Sequence, residues 1–240
     1  MLVSIVTIVF NDVRNIERTI QSVVNQTYSP IEYIVIDGGS NDGTTEVIKK
    51  YSEKIDVLIT EKDKGIYDAM NKGIKAATGQ WIAFMNSNDT FHSATTIEDV
   101  FMSNFDSYDV VYGNFSASNR NNIVIKPRLL NEFWVGMPFN HQATFVRTDL
   151  HKKEPFQLKY KVSAVYAFFF LLYTKQCSFK YLDITVADYD MTGISHHSFY
   201  WLWDYWRINL KYSKSKIISV MFKLIRYTLS RIKTNINRIK

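Results

Sequence analysis

Trp81-Ile82-Ala83-Phe84-Met85 runs directly into Asn86-Ser87-Asn88-Asp89. An apolar run that stops on polar residues with a single carboxylate describes a buried strand with an acid at its carboxyl edge. In an open α/β sheet that edge is where ligands bind. Tyr33-Ile34-Val35-Ile36 ends in the same way, on Asp37-Gly38-Gly39-Ser40-Asn41-Asp42-Gly43-Thr44. Two acid-tipped strands point to a nucleotide-diphosphate donor.

Working outward, strand and helix signals alternate through the first half, as in βαβ units of a mainly parallel sheet. Val3 to Phe10 reads as a first strand. Asn15 to Gln26 reads as a helix with Ile16, Ile20, Val23 and Val24 on one face. A second strand (Ile31 to Ile36), a short helix (Thr44 to Tyr51), a third strand (Ile55 to Thr60) and a helix (Ile66 to Ala77) follow. After the strand ending at Asn86 come a helix near Ala94 to Ser103 and a strand at Val110 to Gly113. Beyond Gly113 the alternation weakens. Ser116 to Asn122 reads as a hairpin loop, Phe133 to Phe145 as aromatic and turn-rich, Ala164 to Tyr173 as a buried helix and Phe179 to Ala187 as a strand.

The chain has 240 residues, 46% of them hydrophobic, enough for one large two-sided core. Its net charge of +6 splits by position. Residues 1–204 hold all 23 acids against 19 cations, whereas residues 205–240 hold ten cations and no acid. The body is acidic and the tail basic, so the overall charge is no nucleic-acid signature. A single cysteine, Cys177, excludes an internal disulfide and a cysteine-built zinc site, and fits a reducing, cytoplasmic setting. Met1 to Phe10 lacks the basic leader and cleavage site of a signal peptide. The longest apolar run, Ala164 to Tyr173, falls well short of the ~20 residues of a spanning helix. Asn11 to Asn15 contains no Gly-x-Gly-x-x-Gly, which removes a nicotinamide oxidoreductase.

Gly38 and Gly39 allow positive φ and close backbone approach beside Asp37, although a lone Asp-Gly-Gly would read as a simple turn before a capped helix. Glu61 to Gly73 crowds Asp63, Asp68, Asn71 and Lys72 around a helix start, denser in function-bearing groups than a solvated face needs. At Asn86 to Asp89 one carboxylate could bind a hard divalent cation that bridges to a diphosphate. Read alone, the tetrad also suits an ordinary turn.

Taken together these segments resemble the nucleotide-sugar glycosyltransferases of family 2, which have the GT-A fold, particularly the bacterial enzymes of surface-polysaccharide assembly. The carriers are Ser4 to Asn11, Ile36 to Thr44, Glu61 to Gly73, Asn86 to Asp89, His141-Gln142 and Gly193-Ile194-Ser195, spanning roughly residues 1–195. The resemblance implies an α/β GT-A domain over 1–195, a Rossmann-like, mainly parallel sheet flanked by helices. Residues 1–113 would be its nucleotide-sugar-binding half and 114–195 its acceptor half, with a C-terminal helical extension over 196–240. It further implies an inverting, metal-dependent transfer from a nucleotide-sugar, a UDP-sugar by expectation, to a glycan or polyprenyl-diphosphate-linked acceptor. By analogy Asp37 contacts the base, Asn88 lies near the ribose and Asp89 holds Mn²⁺ or Mg²⁺. Thr7, Asn11, Asp68 and Lys72 line the donor pocket, and His141 contacts diphosphate or metal, or bonds within its loop.

Two positions depart from the family pattern. Many relatives carry Asp-x-Asp or Asp-Asp at the metal tip, where Asn88 precedes Asp89 here. After the Phe156 to Lys161 lead-in, relatives place Asp-Tyr-Asp where this chain has Val165-Tyr166-Ala167. The first of those aspartates is the expected general base, and valine cannot accept a proton. Asp188 and Asp190 spell a second Asp-Tyr-Asp, but their order in the chain matches the family's later strand and turn. The alternatives are an active transferase and a donor-binding protein without turnover.

If Lys214 to Ile239 is helical, Ile218, Met221, Ile225, Leu229, Ile232, Ile236 and Ile239 form an apolar stripe, and most of the cations lie elsewhere. With Trp201, Trp203 and Trp206 before it, residues 201–240 have the composition of an interfacial anchor on anionic lipid, at the inner face of the cell membrane. Packing on the catalytic body and a homodimer contact are the competing readings.

Overall fold

A computed structural model describes residues 1–102, 107–118, 121–190 and 200–212. The first half forms β1 (Val3–Val9), α1 (Ile16–Val24), β2 (Ile31–Asp37), α2 (Thr44–Lys49), β3 (Val57–Thr60), α3 (Ile66–Ala76) and β4 (Trp81–Phe84). The second half forms β5 (Thr90–Phe91), α4 (Thr96–Phe101), β6 (Val110–Ala117), β7 (Ile123–Ile125), β8 (Thr144–Arg147), α5 (Thr148–Lys153), α6 (Ala164–Thr174), β9 (Phe179–Tyr189) and α7 (Tyr200–Tyr212). One sheet takes them in the order β3-β2-β1-β4-β8-β6-β9-β5, with β7 beside β6. β8 runs against both β4 and β6, while β1 to β4, β6 and β9 share one direction, so the sheet is mainly parallel.

The period of two along buried strands sorts the core into two layers. Val6, Ile8, Ile34, Ile36, Ile82 and Phe84 face α3 and α6, whereas Val3, Ile5, Val9, Tyr33, Val35, Trp81 and Ala83 face the side of α1 and α4. α3 rides close on β1. A Cβ at Gly73 would stand 2.4 Å from Val6 Cγ1, so glycine is needed there for the helix to approach the sheet.

β6 continues to Ala117, past the Gly113 end expected from sequence. Its polar residues look like loop but are bonded across the sheet: Asn114 Nδ2 donates to Asp183 Oδ1 at 2.8 Å, and Tyr181 Oη donates to Asn114 Oδ1 at 2.9 Å. The register of β6 on β9 shifts at Gly113, where a Cβ would meet the Ile184 carbonyl at 2.5 Å.

α7 belongs to the body. Tyr205 stacks on Tyr166 of α6 with ring centroids 4.2 Å apart, the Val162 N–H donates to Asp204 Oδ2 at 3.1 Å, Asn209 Nδ2 donates to Tyr166 Oη at 3.0 Å, and Ile208 is fully buried. Residues 200–212 of the C-terminal extension thus pack on the body, where α6 and its preceding loop supply partners for the helix. Gly193-Ile194-Ser195 and the Lys214 to Ile239 stripe lie outside the described residues. Among the described residues no helix is long and apolar enough to cross a membrane.

Behind β4, His151 is 1% exposed and stacks on Phe168 at 4.0 Å, with Phe84 and Phe156 against its edges. Neither ring nitrogen has a hydrogen-bond partner. Burial, reinforced by neighbouring His141, pushes its pKa well below the ordinary histidine value. An unfolded chain takes up this proton near pH 6.5 and the folded one resists it, so the stabilisation is complete above pH 6.5 and is lost as pH falls below it. Part of the loss of stability between pH 7 and 5 should therefore come from this residue. His151→Phe should flatten the fall in melting temperature between pH 7 and 5; an unchanged slope would contradict this account.

Candidate active site

The polar tip of β4 is built by its neighbours. Backbone bonds from Met85 N to the Val6 carbonyl (2.9 Å) and from Ser87 N to the Ile8 carbonyl (3.1 Å) carry the segment along β1, and Asn88 then turns it with a left-handed φ of +78°. The polar groups freed by that turn are satisfied from α1. Fully buried Thr19 accepts from Asn88 N–H at 3.1 Å and donates to the Asp89 carbonyl at 2.8 Å, while the Arg18 guanidinium donates to the Asn88 carbonyl. Ser87 Oγ donates to Asp12 Oδ2 at 2.7 Å. Buried backbone must find partners, and α1 supplies them as side chains.

Asp89 is 5% exposed. Its Oδ1 accepts from the Asp190 N–H at 3.1 Å, and the Gln142 side chain bonds it as well. Burial pushes its pKa up to about 7; the Asp190 charge adds to this, against the lowering effects of the Asp190 N–H, Arg18 and Gln142. Asp190 Oδ2 in turn accepts from Asn88 Nδ2 at 2.8 Å. Asp190 reaches this place because β5 pairs antiparallel with β9, Thr90 opposite Asp188. Asp188 instead bonds His92 at 2.8 Å. The sequence shows the Asp188-Tyr189-Asp190 repeat of acids, but a separation of 101 residues hides the meeting of Asp190 with Asp89.

Asn88, Asp89, His141 and Val165 line one cleft of about 900 Å³, together with Gln142, Tyr67 and Asp190. The His141 ring lies against Phe84 at 5.0 Å, and burial lowers its pKa to about 3, so it presents a neutral imidazole at neutral pH. Val165 sits in the first turn of α6, where the Tyr67 hydroxyl accepts from the backbone N–H groups of Ala164 and Val165. Asp89 and Asp190 are the acids among the described lining residues.

Five other expected pocket residues stand outside this lining. Thr7 is one residue out of phase: its fully buried hydroxyl bonds Tyr33 Oη at 3.0 Å and the Met85 carbonyl at 2.9 Å, in the layer opposite α3. Asp37 is fully buried, its oxygens taken by Ser40 N–H (3.1 Å), Ser40 Oγ (2.5 Å) and Thr45 Oγ1 (3.0 Å). Asn11 accepts from Asn41 N–H at 2.9 Å and so braces the same turn. Lys72 pairs with Glu61 at 2.8 Å and with Asp63, and Asp68 Oδ2 accepts from the Lys64 N–H at 2.9 Å. Asn11 and Asp37 thus lie at the carboxyl ends of β1 and β2, with Lys72 and Asp63 beside them. Gly38 admits Asp63 there, since a Cβ would stand 2.8 Å from its Oδ2, and Gly39 takes a φ of +83°.

No group of three His, Cys, Asp or Glu side chains converges on a metal among the described residues. A hard divalent cation bound together with a diphosphate needs only one or two protein carboxylates. Asp89 and the neighbouring Asp190, whose charge disfavours the ionised form of Asp89, fit that need.

The model of the family described as Glycosyl transferase family 2 matches residues 4–176. A PGL/p-HBAD biosynthesis glycosyltransferase from Mycobacterium bovis is 28% identical over 181 residues, covering 72% of this chain and 71% of its own. The Staphylococcus aureus TarS 1–349 complex with UDP-GlcNAc superposes with a TM-score of 0.73 at 17% identity, over 93% of this chain and 70% of that one; in another S. aureus TarS structure the match covers 42% of the chain. The mannosyltransferase PcManGT from Pyrobaculum calidifontis, in complex with GDP-Man and Mn²⁺, superposes with a TM-score of 0.68 at 14% identity, over 90% and 67% of the two chains. The carboxylate-tipped β4, the mainly parallel sheet and a family match across most of the chain make this a GT-A protein, and the chain belongs to glycosyl transferase family 2.

Proposed function

We propose that the protein moves a sugar from a nucleotide-diphosphate donor, a UDP-sugar, to a glycan or lipid-linked acceptor of bacterial surface polysaccharide or glycolipid, with inversion. The observation that carries this is the buried Asp89 carboxylate opening from the end of β4 into the cleft beside Asp190 and Gln142. The UDP-GlcNAc and GDP-Man complexes of the structural neighbours and the glycolipid role in the mycobacterial relative's name support the donor and acceptor classes. The base would lie over the Gly38-Gly39 turn that Asp37 shapes and Lys72 flanks. Asn88 would reach the ribose, and Asp89, with Asp190, would hold Mn²⁺ or Mg²⁺. When bound, such a cation offsets charge on the departing diphosphate.

In the transfer, the acceptor oxygen bonds the anomeric carbon as the bond from that carbon to the diphosphate oxygen breaks, and the acceptor's proton must leave. A carboxylate at the first turn of α6 would take it, but Val165 holds that position. A missing base typically costs ~10²–10⁴-fold in rate. Val165 in the cleft lining therefore favours a second reading, in which this chain binds the donor and turns it over very slowly.

Calorimetric titration of UDP with and without Mn²⁺ should show a cation-dependent gain in affinity. Asp89→Asn and Thr19→Val should each remove about tenfold or more of it, and Thr19→Ser should keep it. Equal binding by all four proteins would reject this assignment of the β4 tip. Val165→Asp should raise transfer by at least ~10²-fold over the unaltered chain, whereas rapid turnover by the unaltered chain would eliminate the slow-binder reading. The basic segment is proposed to hold the protein at the inner face of the membrane. Because α7 packs on the body, the informative truncation removes residues 213–240: vesicles rich in anionic lipid should retain the full chain and lose the shortened one, and equal retention would refute membrane binding by this segment.

A further inference from the structure

The cleft has two unlike sides. Around Asp89 it is lined by amide, hydroxyl and carboxylate groups. The other side is apolar and aromatic, formed by Phe115 of β6, Ile125 of β7, Met137 and Phe139 of the following loop, and Trp201 and Tyr205 of α7. These side chains are held firmly. Phe139 stacks on Tyr112 at 4.4 Å and meets Phe169 edge-on at 5.1 Å. Trp201 meets Tyr205 edge-on at 5.8 Å, and Tyr205 lies flat on Tyr166. Gly136, at φ +151°, leaves the space that Tyr205 needs, since a Cβ would stand 2.8 Å from its hydroxyl.

Several polar groups on this side already have partners within the protein. Tyr205 Oη accepts from the Met137 N–H at 3.1 Å, and Tyr166 Oη donates to the Phe133 carbonyl at 2.6 Å. Lys126 is paired with Asp183 at 2.8 Å, and Arg128 with Glu132 at 3.1 Å and the Met137 carbonyl at 3.0 Å. Beside the cations Lys126, Arg128 and Lys161, the wall shows a ligand a continuous stretch of ring and hydrocarbon surface. That stretch rewards apolar area removed from water.

The geometry points to an acceptor whose group next to the receiving sugar is apolar, an alkyl or aryl aglycone, seated on the wall that α7 completes with Trp201 and Tyr205. This rests on the reading of the cleft as a transfer site, because continuity with Asp89 is what makes the occupant an acceptor. It also gives the C-terminal helix a role in choosing the substrate, with Trp201 as a specificity-determining residue.

The test is binding of matched methyl, hexyl and phenyl β-glycosides of glucose, galactose, mannose and N-acetylglucosamine to the full chain in the presence of UDP, by calorimetry. In at least one sugar series the hexyl or phenyl member should bind at least tenfold tighter than the methyl one, and the two arms separate alkyl from aryl preference. Trp201→Ala should bring the members of that series within about threefold, Trp201→Phe should keep most of the preference, and Met137→Ser, on a different element, should reduce it. No binding by any hexyl or phenyl glycoside, equal binding across a series, or a preference untouched by both Trp201→Ala and Met137→Ser would overturn the proposal. UDP stabilisation measured alongside by thermal shift keeps the two readings apart: UDP bound without aglycone preference removes this inference alone, and no UDP effect removes the donor reading beneath it.

Discussion

The hydroxyl of Thr19 and the turn it clasps set the terms for the rest of the cleft. Asn88 must adopt a left-handed backbone for Asp89 to leave the line of β4, and such a turn strands an N–H and a carbonyl away from water. A single buried hydroxyl satisfies both. Further along α1, Ser22 Oγ accepts from the Phe91 N–H at 3.3 Å, while Gln26 donates to the Ser93 carbonyl at 2.7 Å and accepts from the Ile97 N–H at 3.0 Å. A helix that reads in sequence as a plain amphipathic element thus uses its margin to template the segment after β4. The carboxylate is rigid because its backbone is.

Rigidity also explains the electrostatics. Asp89 sits where water cannot fully solvate it, beside a second acid whose own amide N–H points at it. Such a pair is poorly matched by protein alone and well matched by a cation and the oxygens of a diphosphate. His141 contributes no opposing charge, since burial among Phe84, Phe156 and Phe169 keeps its ring neutral.

Legibility in the sequence followed how local each signal was. β1 to β4, α1 to α3 and α6 could be read from apolar patterning, because each is defined by neighbours within four positions in the chain. β6 was read too short, since Asn114 and Ser116 look like loop until Asp183 and Tyr181 are placed beside them. Asn88, Asp89, His141 and Val165, joined in sequence only by family pattern, line one cleft. Thr7 lies in the opposite layer, because alternation along a strand moves a side chain to the other face with a shift of one residue. Asp190 was visible as an acid but not as the partner of Asp89, a relation made only by strand pairing. The role of α7 was hidden for a similar reason: its tryptophans and cations resemble an interfacial helix, and the Asp204, Tyr205, Ile208 and Asn209 stripe acquires meaning only against α6.

That attachment of α7 has a consequence for whatever residues 213–240 engage. Tyr212 of α7 lies close to Tyr160, its hydroxyl 3.4 Å from Gln157 Nε2, on the same stretch of chain that leads into α6 and Val165. A surface or molecule captured by the proposed basic segment would therefore be held near the chain that leads into the cleft. Tethering of this kind turns a second encounter into an intramolecular one. An acceptor confined to the same surface would then meet the cleft at a local density set by that attachment more than by its amount in the cell.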